Sequence, residues 1–129
     1  MKPLRCIVAG VGALADDDPT LLLALDLARR CGASLHAVHA FPPLYSMTPG
    51  LDMAYNAGLH EYEAGMQQAL EDLVRRHTET EGGDVAGHAL PGTPGQVLVD
   101  AADRLHADLL VVGAARPGRA ASVRLTLDS

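Results

Sequence analysis

The chain has 129 residues, is 48% hydrophobic and carries a formal net charge of −6, which fits one globular domain over residues 1–129. An acidic balance argues against a general nucleic-acid binder, which usually carries a basic stripe. The first apolar run is too short for a signal peptide or a membrane span, and the two cysteines lack metal-binding spacing. We therefore expect a cytoplasmic protein with reduced thiols and no membrane association.

The first part of the chain alternates between strand and helix patterns. Residues 4–11 form an apolar run without helical period, which is typical of a buried strand. Residues 12–18 are predicted as a loop, in which Asp18 caps a helix and Pro19 takes its first position. The helix is expected to end near Gly32, because glycine adopts the left-handed conformation readily. Its predicted buried stripe consists of Leu21, Leu22, Leu25 and Ala28.

A second strand and the best helix pattern follow. Ser34–Phe41 is predicted as a strand that a proline pair ends, and residues 45–56 as a long, loosely structured loop. Apolar residues at three- and four-residue steps from Leu59 to His77 then predict a helix that Glu81-Gly82-Gly83 ends. Residues 85–90 are predicted as a third strand with an alternating tendency.

The last predicted helix and strand precede residue 114. Thr93 and Gln96 match a capping box around Pro94, so a helix is expected to begin there. Residues 108–113 are predicted as a fourth apolar strand. Residues 114–129 are rich in arginine and small residues and lack a core-forming run, so no element is predicted there.

Strands that alternate with helices predict an open, mainly parallel α/β sheet of Rossmann-like type, with helices on both faces. Ligands of such sheets bind outside the carboxyl ends of the strands, where the strand order reverses. The predicted loops at those ends follow Val11, Phe41, Leu90 and Gly113.

Two glycine clusters lie at these ends. Gly10-Val11-Gly12 opens a match to the dinucleotide pattern G-x-G-x-x-G/A, although the predicted helix begins only at Pro19. The alternative interpretation of this cluster is a tight turn. The second cluster, residues 113–119, combines glycines that let a backbone approach a ligand with arginines that pair with phosphate. Its alternative is a flexible, solvated loop.

No residue pattern nominates a catalytic group. His36 and His39 are three apart on a strand, so they point to opposite faces and cannot share a metal. The sequence contains neither an H-E-x-x-H pattern nor a G-x-S-x-G elbow. Asp16, Asp17 and Asp18 could bind a divalent cation with a nucleotide or form a solvated cap. We expect a non-catalytic protein, at most a weak ATPase, without a metal site of its own.

Three segments carry a resemblance to a known family. They are RCIVAGVGA at the first strand, DPTLLLALDLARRCGASLHAVHAF over the first helix and second strand, and GTPGQVLVDAADRLHADLLVVGAARPGR in the later half. Their order and spacing resemble the universal stress protein family over essentially the whole chain. The resemblance implies a stress-response α/β domain with strand order 3-2-1-4, often found as a homodimer.

The same resemblance implies a ligand. One branch of the family binds ATP through a glycine motif after the fourth strand, which corresponds here to Gly113, Gly118 and Ser129. The expected ligand is therefore an adenine nucleotide, ATP with or without Mg²⁺, at the carboxyl ends of strands 1 and 4. The residues expected to contact it are Ala9, Gly10, Val11, Ala40, Gly113, Arg116, Gly118, Arg119 and Ser129.

Departures from the family pattern support other functions. Val11 stands where ATP-binding members have an aspartate. Asp128 stands where they have a glycine, so its carboxylate would lie beside the phosphates of a bound nucleotide. In the family a last helix leads to a fifth strand, and here that helix would begin at Ser129, so the chain resembles a member that is truncated or divergent at its C-terminus. The resemblance thus implies that the usual fifth strand is missing and that the fourth strand keeps an unpaired edge. One alternative is a nucleotide-independent interaction domain, in which a homodimer or higher oligomer covers that edge. The other, which ranks last, is an enzyme that acts on a nucleotide or dinucleotide.

Overall fold

A computed structural model describes residues 3–42, 52–113 and 122–125 of the chain. The elements in chain order are β1 (Cys6–Gly10), α1 (Pro19–Cys31), β2 (Ser34–Phe41), α2 (Asp52–Glu81), β3 (Val85–Pro91), α3 (Pro94–Arg104), β4 (Leu109–Val112) and β5 (Ser122–Leu125). The strands form one sheet in the order β3-β2-β1-β4-β5, and β1 to β4 run parallel. The predicted open α/β sheet with order 3-2-1-4 is confirmed.

A fifth strand covers the edge of β4 that the sequence predicted to be unpaired. β5 runs antiparallel to β4, with Ser122 opposite Val112 and Leu125 opposite Leu109. The expectation of a bare fourth strand is therefore wrong. A four-residue edge strand is hard to recognise in the sequence. It pairs with its one neighbouring strand through backbone groups, so it needs no continuous run of apolar residues.

The limits of α1 agree with the prediction, whereas one residue of its buried stripe does not. Asp18 caps the helix by accepting a hydrogen bond from the Leu21 amide at 3.0 Å, and Gly32 ends it in the left-handed conformation with φ 65°. Leu22, predicted to be buried, is 43% exposed. A helix turns about 100° per residue, so Leu22 points away from the sheet that Leu21 and Leu25 contact.

Helix α2 begins earlier than predicted. Its backbone is helical from Asp52, so the loop predicted over residues 45–56 is wrong for residues 52–56, and residues 45–51 lie outside the described chain. The periodic apolar pattern marks the part of a helix that packs against a sheet. In α2 that part includes Leu70, Leu73 and Val74, which are buried. A helical segment without that periodicity is invisible to the pattern.

The capping box predicted for α3 does not form. Thr93 occupies the cap position without a side-chain hydrogen bond to the helix. Gln96 instead donates from Nε2 to Asp100 Oδ1 at 2.8 Å. This contact lies one helical turn further along on the exposed face, so Gln96 satisfies its amide there.

Two hydrophobic clusters fill the two faces of the sheet. α1 and α2 cover one face, where Ile7, Leu35 and Leu109 are central strand residues. α3 covers the other face, where Val8, Val38 and Leu110 pack against it. Side chains alternate between faces along each strand, so every central strand contributes to both clusters.

The outer edge of β3 is covered by a side chain. Gln67 of α2 donates from Nε2 to the Gly87 carbonyl at 2.8 Å and accepts from the Ala89 amide at 2.7 Å. These two bonds are the ones that a neighbouring strand would make with β3. The Gln67 amide therefore takes the place of a strand at this edge of the sheet.

Candidate functional site

The strand order places one crevice at the carboxyl edge of the sheet. β1 and β4 are adjacent and parallel, with Ile7 beside Leu109 and Ala9 beside Val111. The chain leaves β1 for α1 on one face of the sheet, whereas it reaches β4 from α3 on the other face. The order reverses between these two strands, and this is the position at which open α/β sheets bind ligands.

The backbone after β1 is held firmly at the side of β2. The Val11 amide donates to the Val38 carbonyl at 2.8 Å, and the Val11 carbonyl accepts from His39 Nδ1 at 2.8 Å. Because a carbonyl only accepts, His39 carries its proton on Nδ1. The side chains of Ala9 and Val11 are buried in the cluster beneath α1, so contacts from these two positions to a ligand would come from the backbone. His39 was not predicted from the sequence as a site residue.

Gly10 packs against a helix. A Cβ at position 10 would lie 2.7 Å from Cδ1 of Leu98, so the missing side chain lets α3 approach β1. Because α1 begins only at Pro19, the loop after Gly12 does not bring a helix N-terminus into the glycine pattern. The geometry thus favours packing and a turn over a dinucleotide fingerprint.

Gly113 and Thr20 bring the end of β4 against the first turn of α1. A Cβ at position 113 would lie 2.6 Å from the Thr20 hydroxyl, a distance that only glycine avoids without a shift of its neighbours. Thr20 is only 4% exposed, and its hydroxyl has no hydrogen-bond partner within the part of the chain that the structure describes. The sequence predicted Gly113 as a site residue and missed Thr20.

Asp18 closes the same corner of the crevice with a carboxylate. It is 6% exposed, and its two oxygens accept hydrogen bonds from the Leu21 and Ala13 amides, each at 3.0 Å. Asp18 therefore holds the loop after β1 to the start of α1 and places a negative charge at the positive end of the helix.

The three consecutive aspartates do not converge. The Asp16 carboxylate lies 2.9 Å from Nε of Arg76, and the Asp16 carbonyl accepts from His77 at 3.1 Å, so Asp16 faces α2. No group of three or more metal-ligating side chains occurs over residues 3–42, 58–79 and 82–113. The alternative that all three aspartates bind one cation is not supported by this arrangement.

The remaining predicted site residues are divided between one strand and undescribed segments. Ala40 lies in β2 on the face covered by α3, half-buried and beside Leu90 of β3. Arg116, Gly118, Arg119 and Ser129, together with Asp128, lie outside the described residues, so their roles stay predictions.

A histidine pair lies away from the crevice, on the α3 face of the sheet. His36 Nδ1 and His88 Nε2 are 3.0 Å apart, and the two rings are inclined by 24°. Burial lowers the pKa of His88, and the charges of His36 and Arg104 lower it further. The pair joins β2 to β3 and has no contact with the carboxyl ends of β1 and β4.

The opposite, amino edge of the sheet has a cavity of about 350 Å³. Its apolar walls come from Leu25, Ala28, Ala33 and Val85, and its polar groups include Arg29 and Asp84. This cavity is at the wrong end of the strands for the ligand position that the topology defines.

The open sheet, its helices on both faces and the crevice between β1 and β4 define an α/β protein of the Rossmann-like class. Residues 4–126 match the model of the universal stress protein family, and the chain belongs to that family. No curated protein matches the chain significantly.

Solved structures with this fold include Universal stress protein UspA from Lactobacillus plantarum, with a TM-score of 0.63 and 20% identity over 92% of this chain and 85% of that chain. A universal stress protein in complex with cAMP has a TM-score of 0.59 and 23% identity over 92% and 79% of the two chains. A family member from Arabidopsis thaliana with AMP bound has a TM-score of 0.58 and 17% identity over 88% and 79%. In the described segments, no helix is long and apolar enough to cross a membrane.

Proposed function

We propose that the chain binds an adenine nucleotide at the carboxyl ends of β1 and β4 and does not turn it over. One observation carries this proposal: the first turn of α1, with the buried Thr20 hydroxyl, meets Gly113 at the point where the strand order reverses. Two structurally similar family members are complexes with cAMP and with AMP, which supports adenine nucleotides as the ligand class. ATP, with or without Mg²⁺, is the form that the sequence predicted.

Titration calorimetry with AMP, ATP and GMP tests the proposal. We expect heat from the adenine nucleotides at submillimolar concentration and weaker binding of GMP. The Gly113→Ala variant should lose most of this affinity, because its Cβ displaces the Thr20 hydroxyl from the crevice wall. Gly95→Ala is the matched control, since a Cβ at position 95 meets nothing within 4 Å.

Three results would contradict the proposal. They are no heat with any adenine nucleotide at millimolar concentration, equal loss of binding in the Gly95→Ala control, and steady release of phosphate or another product by the pure protein. The last result would support the enzyme alternative instead.

We also propose that the chain self-associates through β5. Within the described residues β5 pairs with β4 on one side only, and an open strand edge is a template for pairing with another chain. This observation keeps the interaction domain as a second candidate function. Analytical ultracentrifugation should show a dimer at micromolar concentration with or without nucleotide, and a monomer over the whole concentration range would remove this candidate.

A further inference from the structure

We infer that the first turn of α1 selects the ligand by its phosphate charge: Thr20 contacts the nucleotide, and Asp18 favours an adenosine monophosphate over a triphosphate. This inference rests on the proposed adenine-nucleotide site. Thr20 was not predicted from the sequence, and Asp18 was predicted there only as a cap or as one of three cation ligands; the class of nucleotide is also new.

The Thr20 hydroxyl is the first reason. Buried polar groups are nearly always hydrogen-bonded, and an exception calls for a partner beyond the protein atoms. Thr20 is 4% exposed, and no group within the described residues bonds its hydroxyl, which faces Gly113 at the end of β4. A hydroxyl both donates and accepts, so it suits a ribose hydroxyl or a phosphate oxygen.

The Asp18 carboxylate is the second reason. A free helix N-terminus attracts phosphate through its unpaired amides and its dipole. Here Asp18 already accepts from the Leu21 and Ala13 amides, so its own charge offsets the positive end of α1. Asp18 is the cap residue of the same helical turn that contains Thr20, so its charge lies within one turn of a ligand that Thr20 contacts.

The charge of its phosphate groups then decides how tightly each nucleotide binds. A monophosphate carries about two negative charges near neutral pH, and each further phosphate adds repulsion from a carboxylate within one Debye length, about 10 Å at moderate salt. The chain as a whole carries a net charge of −6, which acts in the same direction. A low-charge ligand is therefore favoured at this corner of the crevice.

Calorimetry on the full chain with AMP and with ATP, without divalent cation, tests the role of Asp18. We expect AMP to bind on the order of tenfold more tightly than ATP in 50 mM salt, with a smaller ratio in 500 mM salt. Asp18→Asn should reduce the ratio several-fold, because asparagine removes the charge and keeps a capping oxygen for the Leu21 amide, although it gives up the bond from the Ala13 amide. Asp17→Asn removes an exposed and therefore more strongly screened charge one residue away, and should change the ratio less than Asp18→Asn does.

Thr20→Val and Thr20→Ser test the hydroxyl. Valine has the same shape, so we expect AMP affinity to fall about five- to tenfold with no loss of thermal stability, because a hydroxyl without a partner among the described residues adds little to the fold. Serine keeps the hydroxyl and should stay within about twofold of the parent chain.

Each other outcome overturns the inference. ATP binding as tightly as AMP, or an unchanged ratio in Asp18→Asn, removes the charge selection while leaving the proposed function intact. Unchanged AMP affinity in Thr20→Val, or a melting temperature lowered by that substitution, removes the ligand contact. No binding of either nucleotide by the parent chain defeats the proposed function and this inference together.

Discussion

His36 and His88 show how a single shared proton can link two strands. Their facing nitrogens are 3.0 Å apart, so one ring must donate and the other accept. A second proton on the facing nitrogens would place two N–H groups against each other and break the bond. The neutral or singly protonated pair is therefore the state that holds β2 to β3.

This pair predicts that acid destabilises the protein. Burial first, then the charges of His36 and Arg104, lower the pKa of His88 in the folded state. The unfolded chain, with a His pKa near about 6.5, binds more protons, so stability is full above that pH and is lost as the pH falls below it. Because the ring is half-exposed and screened, we expect the loss to stay below about 1 kcal/mol.

Urea unfolding at pH 7.5 and pH 5.5 measures the effect. The parent chain should lose more stability between these pH values than the His88→Asn variant, whereas an exposed-site control, His60→Asn, should follow the parent. Equal pH dependence in the parent and in His88→Asn would show that the pair does not couple to folding.

At the scale of elements, the Gln67 amide covers the middle of the outer edge of β3. Replacing Gln67 with methionine keeps the apolar stem and removes both bonds to β3. We expect unfolding to become easier by about 1–2 kcal/mol, because two half-buried backbone groups lose their partners. The exposed edge should also promote association at high protein concentration.

Urea denaturation and light scattering measure these two changes. Gln68→Met is the control, because Gln68 is exposed and, among the described residues, its side chain bonds only to Asp72. If the two variants unfold alike and scatter alike, the side-chain amide does not protect the edge.

The helices and strands that could be predicted are those whose residues carry a buried pattern or a specific end signal. Asp18, Pro19 and Gly32 define the ends of α1 because each residue type suits its backbone position. β5 and the start of α2 could not be predicted in the same way. Edge pairing and an unpatterned helical segment leave no periodicity in the residues.

At the scale of the whole molecule, the sheet order makes the site. Parallel strands joined by helical crossovers place Gly12 and Gly113 at one edge, although about 100 residues separate them in the chain. The alternation of elements predicted that both glycines lie at this edge, and the family resemblance implied the strand order that makes β1 and β4 neighbours.

The contact partner of Gly113 could not be predicted. Thr20 lies four residues before Ala24 and eight before Ala28, so it continues the buried stripe of α1 as its one polar member. This helical spacing was the sequence signal from which the burial of Thr20 could have been predicted. The folded chain brings the end of β4 against the first turn of α1, and only this packing shows that the Thr20 hydroxyl meets Gly113.

The most direct test of the central claim is an amide ¹H–¹⁵N NMR titration of the full chain with AMP. Binding at the carboxyl edge predicts the largest shifts at the Gly12 and Gly113 amides, with Thr20 following. Shifts confined to Gly32 and Gly82, which line the cavity at the amino edge, would contradict the claim, as would an unchanged spectrum at millimolar AMP.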